Sequence, residues 1–356
     1  MKLGARILKT GIAITLALFL STLFQLPAPA FAGIAAIFAI QPTIYRSYIS
    51  VIEQIQANVI GALFAIIFGL VFGPNPVVIG LTAIIVISIN LKLKAEATIP
   101  VAIVTVIAIL ESPGDNFIEF GLIRFFTVLI GVLAAFIVNL VFLPPKYETK
   151  LYNRISSNTE EIIKWIRISV RHASDHNILK EDIERLKEQM MKLDQLYLLY
   201  KEERHYFKQN EYAKSRKLVL FRQLLVTSNR SLDTLKKLHR LENELQNMPA
   251  EFQEVLTTEL DYLLLLHEES LLKFIGKIKT SHSSQLIEEC SSNKQKLFET
   301  FMDYHKRCDD HSCFYHLLPL VATIIDYSEQ LEHLETLTHS FQSFHKEENE
   351  IKLTEE

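Results

Sequence analysis

The sequence predicts an all-α protein in two parts: a six-span transmembrane helical domain over 1–145, then a cytoplasmic antiparallel helical bundle over 146–356. Three observations predict it. The charges divide sharply, with only seven of the 37 Lys and Arg and five of the 41 Asp and Glu lying before residue 146. The helix breakers divide the other way, since nine of 11 prolines and ten of 11 glycines lie in the first part. The first part is also a series of long apolar runs, whereas in the second the apolar residues recur every three or four positions, as on one face of a helix.

The spans are expected at about 7–26, 28–44, 55–72, 76–91, 98–111 and 119–143. The first carries Lys2, Arg6 and Lys9 at its start. Its basic start and the Ala30-Phe31-Ala32 sequence before Gly33 also fit a cleavable signal, but the run is long for one and a second apolar segment follows at once. Several segments fall short of the ~20 residues that cross a hydrocarbon core, and 76–91 with 98–111 fit either two short spans or one re-entrant pair. The connections are breaker-rich: Pro27-Ala28-Pro29, Gly73-Pro74-Asn75-Pro76 and Ser112-Pro113-Gly114-Asp115. Six spans put Lys2, Arg6, Lys9, Arg46, Lys92, Lys94 and Lys146 on one side and no Lys or Arg in the opposite loops. By the positive-inside rule both termini then lie in the cytoplasm.

Phe31–Phe64 holds the features most in need of explanation. An apolar segment stops at Gln41-Pro42-Thr43, a polar connection follows, and a second apolar segment opens with Gln54, Gln56 and Asn58. A proline-interrupted backbone beside amides is costly in lipid unless protein or water satisfies it. Asn90, Glu96, Arg124 and Asn139 are further polar groups in or at the ends of apolar runs. Such groups either bond neighbouring helices together or line a pathway. No carboxylate sits mid-span, so no proton-relay acid is visible. Arg124 lies about two turns inside the last span. Three settings suit it: reaching for headgroups, pairing with Glu119 or Glu111, or facing the interior to attract a carboxylate. Gly61, Gly69, Gly80 and Gly131, with nearby alanines, are spaced for close helix contact.

An apolar span ending in Gln41-Pro42-Thr43, a polar turn and a helix opening toward Gly61 resembles the fusaric-acid-resistance and aromatic acid exporter superfamily. The six spans followed by a long helical domain resemble its aromatic acid exporter type 1 branch. The family pattern continues with an Arg, a Gly-Thr pair and a Gly three residues beyond the pair's Thr. Here those positions read Gln54, Ala57-Asn58 and Gly61, so only the last matches. The wider superfamily is also similar to plant malate channels. The resemblance implies outward movement of small organic anions, a cell-membrane location and a homo-oligomer. The pathway residues expected on these grounds are Gln41, Pro42, Thr43, Gln54, Asn58, Gly61, Asn90, Arg124 and Asn139.

In the second part, a helix is expected from Tyr147 to His176. Ile183, Leu186, Met190, Leu193, Tyr197, Tyr200 and Phe207 mark another, and Leu218–Leu235 a third. Pro249 should open a helix as its first residue, and Pro319 should fall in the first turn of a last helix beginning near Leu317. His267 lies among leucines and reads as a satisfied core histidine. His305, Cys308, His311, Cys313 and His316 could offer zinc ligands, but their spacing matches no zinc pattern, and a helix-loop-helix junction is expected instead.

These features narrow the function. Three cysteines make no disulfide framework and fit a reducing compartment. There is no basic stripe for nucleic acid and the net charge is -4. No phosphate loop, catalytic triad or apolar carboxylate pair is present, so neither an enzyme nor a cofactor is expected. The expected partners are the bilayer, a small organic anion and further copies of the chain. The rival reading is a membrane-anchored scaffold or sensor whose bundle binds a protein.

Overall fold

The computed structural model describes residues 5–111, 117–141, 147–171, 175–203, 211–278, 283–307 and 311–345, and these are helical apart from short connections. The chain divides into two compact units, one built from the helices before residue 146 and the other from those after it.

The first unit contains α1 (Ala5–Leu23), α2 (Ala30–Ala39), α3 (Ile44–Phe72), α4 (Pro76–Lys92), α5 (Ile99–Leu110) and α6 (Phe117–Val141). Helices α3 and α6 are long and apolar enough to cross a membrane, and the other apolar stretches here run 10–17 residues. Pro29 precedes α2, which ends at Ala39; its C-cap Ile40 is already extended, and Gln41-Pro42 follows, where a proline cannot continue the helix. Thr43 then caps α3, its hydroxyl accepting from the Arg46 N–H at 3.1 Å. The segment expected as a polar connection before residue 55 is therefore the opening of α3. With a good cap and no Gly or Pro between Ile44 and Gln54, nothing breaks the helix there. Gly73, with φ of 76°, closes α3 by returning its N–H to Gly69 O.

This unit is built inside out. The buried face of α3 is Ser47, Ser50, Gln54, Ala57, Asn58, Gly61, Ala62, Ala65 and Gly69. Its outward face carries Ile52, Val59, Leu63, Ile67 and Leu70. Helix α6 repeats the arrangement, with Gly121, Thr127, Gly131, Ala134 and Ala135 inside and Leu122, Phe126, Leu133 and Ile137 outside. In water the apolar groups would be drawn inward. Lipid removes that drive and leaves close packing of small residues to hold helices together. A Cβ on Gly131 would overlap the Ala32 carbonyl, and one on Gly61 would lie 2.8 Å from Ala102 O. These two glycines let α2 approach α6 and α5 approach α3.

The second unit contains α7 (Tyr147–Val170), α8 (His176–Glu203), α9 (Glu211–Arg240), the short α10 (Glu242–Gln246), α11 (Ala250–Phe274), α12 (Ser283–Arg307) and α13 (His311–His345). Here the pattern is the ordinary one. Ile155, Ile162, Leu186, Phe221, Leu260, Phe274, Phe301, Leu320 and Leu331 belong to one buried apolar cluster. Helix α9 packs on α7, α8 and α13, and α11 packs on α12, α13 and α7. Two prolines sit differently from expectation. Pro249 is the residue before α11, with ψ of 141°, rather than its first helical residue. Pro319 lies inside α13, which starts at His311 rather than near Leu317. Packing of Leu317, Leu320 and Val321 into the core holds the helix together across the missing N–H.

Candidate functional site

The break after α2 is held by one side chain. The Asn139 amide nitrogen, on α6, faces Ser47 Oγ at 2.7 Å, Gln41 O at 3.1 Å and Thr43 O at 3.3 Å. Its oxygen accepts from Lys9 Nζ at 3.1 Å. Asn139 is 1% exposed and Lys9 8%. Asn139 thus ties the break to α6: it gives Gln41 O a side-chain donor and adds to the helical bond that Thr43 O accepts from the Ser47 N–H, while the Gln41 side chain donates to Phe38 O, the carbonyl that Pro42 cannot serve. Lys9, expected as a flanking charge, is instead buried and points at this amide.

A second contact joins α3 to α5, where Thr105 Oγ1 donates to Asn58 Oδ1 at 2.8 Å, near the Gly61–Ala102 approach. Gln54 and Asn90 are only partly satisfied. Gln54 donates to Ser50 Oγ and Asn90 donates to Val86 O, each within its own helix. Gln54 Oε1 and Asn90 Oδ1 are buried without a hydrogen-bond partner.

Arg124 is 6% exposed. Its guanidinium carbon sits 3.3 Å from the centroid of the Phe31 ring, a cation–π contact. Its Nε and Nη1 are buried with no hydrogen-bond partner. Neither Glu111 nor Glu119 forms an ion pair with it among the described residues. The guanidinium is buried against Phe31 rather than reaching outward. Gly121 packs against Ile66 while Asn139 meets Ser47, so α3 and α6 run antiparallel. Arg124 is therefore level with about Leu63, and Gln54 lies about 13 Å further along the same interface.

The nine expected pathway residues thus separate by geometry. Gln41, Pro42, Thr43 and Asn139 form the braced break, and Asn58 and Gly61 the α3–α5 contact. Gln54, Asn90 and Arg124 retain unspent polar atoms. Ser47, Thr105 and Phe31 went unnoticed in the sequence. Ser47 lay in a stretch read as a connection, and Thr105 and Phe31 sit in unbroken apolar runs.

The residue types and order of this unit find counterparts elsewhere. A model described as aromatic acid exporter family member 1 matches residues 1–142, and the fusaric acid resistance protein family model matches residues 97–351. The chain belongs to the fusaric acid resistance and aromatic acid exporter superfamily. It is thereby a cell-membrane protein of exporter type. Among its relatives in this superfamily, the UPF0421 protein YgaE of Bacillus subtilis is 63% identical over 355 residues, covering 100% of both chains. A UPF0421 protein of Oceanobacillus iheyensis is 33% identical over 165 residues, 46% of this chain and 47% of its own length. One of Staphylococcus epidermidis is 31% identical over 217 residues, 59% of this chain and 65% of its own.

The second unit holds several ionisable groups away from water. Lys273 and Glu335, 2% and 1% exposed, pair at 2.7 Å, and Ser270 donates to the same carboxylate at 3.0 Å. His267 is buried, with Nδ1 2.8 Å from the Tyr327 hydroxyl, while its Nε2 has no partner, so its core setting satisfies one nitrogen of two. Burial lowers its pKa to about 3. Glu259 is 1% exposed with both oxygens unpartnered. Burial raises its pKa to about 7, with Lys294 opposing and Glu332 adding to the shift. Of the histidine–cysteine stretch, His305 lies at the end of α12, His311, Cys313 and His316 lie on the first turns of α13, and Cys308 falls outside the described residues.

Proposed function

We propose that the first unit moves small organic anions, aromatic acids among them, out of the cell, as a channel or secondary transporter. The six apolar helices serve as six spans, both termini lie in the cytoplasm, and the second unit is a cytoplasmic helical bundle that gates the path or holds copies together. Arg124 carries the reading. A guanidinium facing the interior with two nitrogens unspent is costly unless something negative visits it, and a carboxylate fits its fork. Phe31 beneath it offers an aromatic face to an aromatic acid. Gln54 and Asn90 supply further polar atoms along the interior, where the family's arginine is replaced. The short spans leave little interior in one copy, which supports a homo-oligomer.

The test is export of a panel of organic acids from cells carrying wild-type, Arg124→Gln or Arg124→Lys protein at matched membrane abundance. Gln is expected to slow export at least about tenfold, the factor for losing one charge-assisted hydrogen bond. Lys should restore part of it. Wild-type export by the Gln variant would remove Arg124 from the pathway and the main support for this reading.

A further inference from the structure

We propose that His176, His239 and Glu242 in the second unit form a binding site for a divalent transition-metal ion of the zinc type. The three residues come from the first turn of α8, the last turn of α9 and the start of α10. One potential ligand atom from each lies within 4.8 Å of the others. His176 Nδ1 and Glu242 Oε2 are 3.4 Å apart. That is the separation of two ligands each about 2.0–2.1 Å from one tetrahedral ion. The His176 and His239 rings are close neighbours, with centroids 4.1 Å apart and planes tilted by 30°.

A hydrogen bond between His176 and Glu242 leaves part of the arrangement unexplained. His239 Nδ1 is buried without a partner, and so is Ser169 Oγ. Both residues line one pocket, together with Glu242, Gln253 and Thr257. The pocket gives a fourth coordination position room for a water, as in zinc sites that keep one position open. Two imidazoles and one carboxylate favour zinc, cobalt or nickel over calcium or magnesium, which prefer all-oxygen sites. An ion here would tie the start of α8 to the α9–α10 corner.

The experiment uses the full chain in detergent, stripped with a chelator and titrated with zinc chloride by calorimetry. One ion per chain should bind with micromolar or tighter affinity. His239→Asn and Glu242→Gln should each weaken binding at least tenfold while leaving the helical circular dichroism unchanged. The Cys308→Ser, Cys313→Ser double variant should bind as wild type does, and cobalt-loaded protein should lack the intense thiolate charge-transfer band. Absence of binding below millimolar zinc overturns the proposal. So does binding that survives both His239→Asn and Glu242→Gln, or that disappears with the two cysteines.

Discussion

Glu259 and His267 lie about two turns apart on α11 and respond to pH in opposite senses. Glu259 binds its proton more tightly folded than unfolded, so its contribution is present below about 4.5 and is lost as pH rises through about 7. His267 is held neutral, so its contribution is present above about 6.5 and is lost as pH falls toward about 3. Each slope is about 1.4 kcal/mol per pH unit, and between 4.5 and 6.5 the two oppose each other. Glu259→Gln should therefore uncover the histidine slope, making stability rise with pH across that window more steeply than in the wild type. Chemical unfolding at several pH values checks this, and equal slopes for the two proteins would refute it. His267 was legible in the sequence because a lone imidazole among leucines has few settings. Glu259 was not, because a carboxylate among Thr257, Thr258 and Asp261 reads as part of a solvated face.

At the scale of the element, the buried polar contacts determine which substitutions matter. Asn139→Leu would remove the side-chain donor to Gln41 O and Ser47 Oγ and the acceptor for Lys9 Nζ, at a cost of about 2 kcal/mol or more. The expected result is a lower detergent unfolding temperature, with Asn139→Gln intermediate. In the second unit, Lys273→Met alone should cost about 3–5 kcal/mol, because it leaves Glu335 buried without its cation. Adding Glu335→Leu should recover most of that, and a double variant as unstable as the single one would contradict the argument. Helix existence was legible from apolar periodicity, but helix ends were less so. The opening of α3 looked like a connection because its residues are polar, yet Ser47, Ser50 and Gln54 on it face the interior of the unit. Pro319 looked like a helix start because proline favours that place, and packing overrode the preference.

The two units obey opposite burial rules, and for the whole molecule this suggests two different solvents. Composition alone made the division visible, because charge and breakers segregate at different ends of the chain. The contacts of Lys9, Ser47 and Asn139 were invisible, because they join residues more than 90 positions apart. The proposed cytoplasmic placement of the second unit predicts that a periplasm-active reporter fused after Glu356 stays silent and a cytoplasm-active one works. The reverse would sink the six-span reading. A fragment over about 147–345 should be soluble and strongly helical alone, since its apolar residues are turned inward. Aggregation of that fragment would count against an independent unit.

On the proposed six-span reading, helix α2, only ten residues long, has a physical consequence for the surrounding lipid. It rises about 15 Å, half the thickness of a typical hydrocarbon core, while α3 beside it rises about 43 Å. A bilayer cannot match both lengths. It can thin around the short side while the long helix tilts, at a cost of fractions of a kcal/mol per Å of mismatch. Acyl-chain length then becomes a variable of transport. Export in vesicles should be faster with shorter chains and fall steadily as they lengthen, at equal protein density and equal lipid charge.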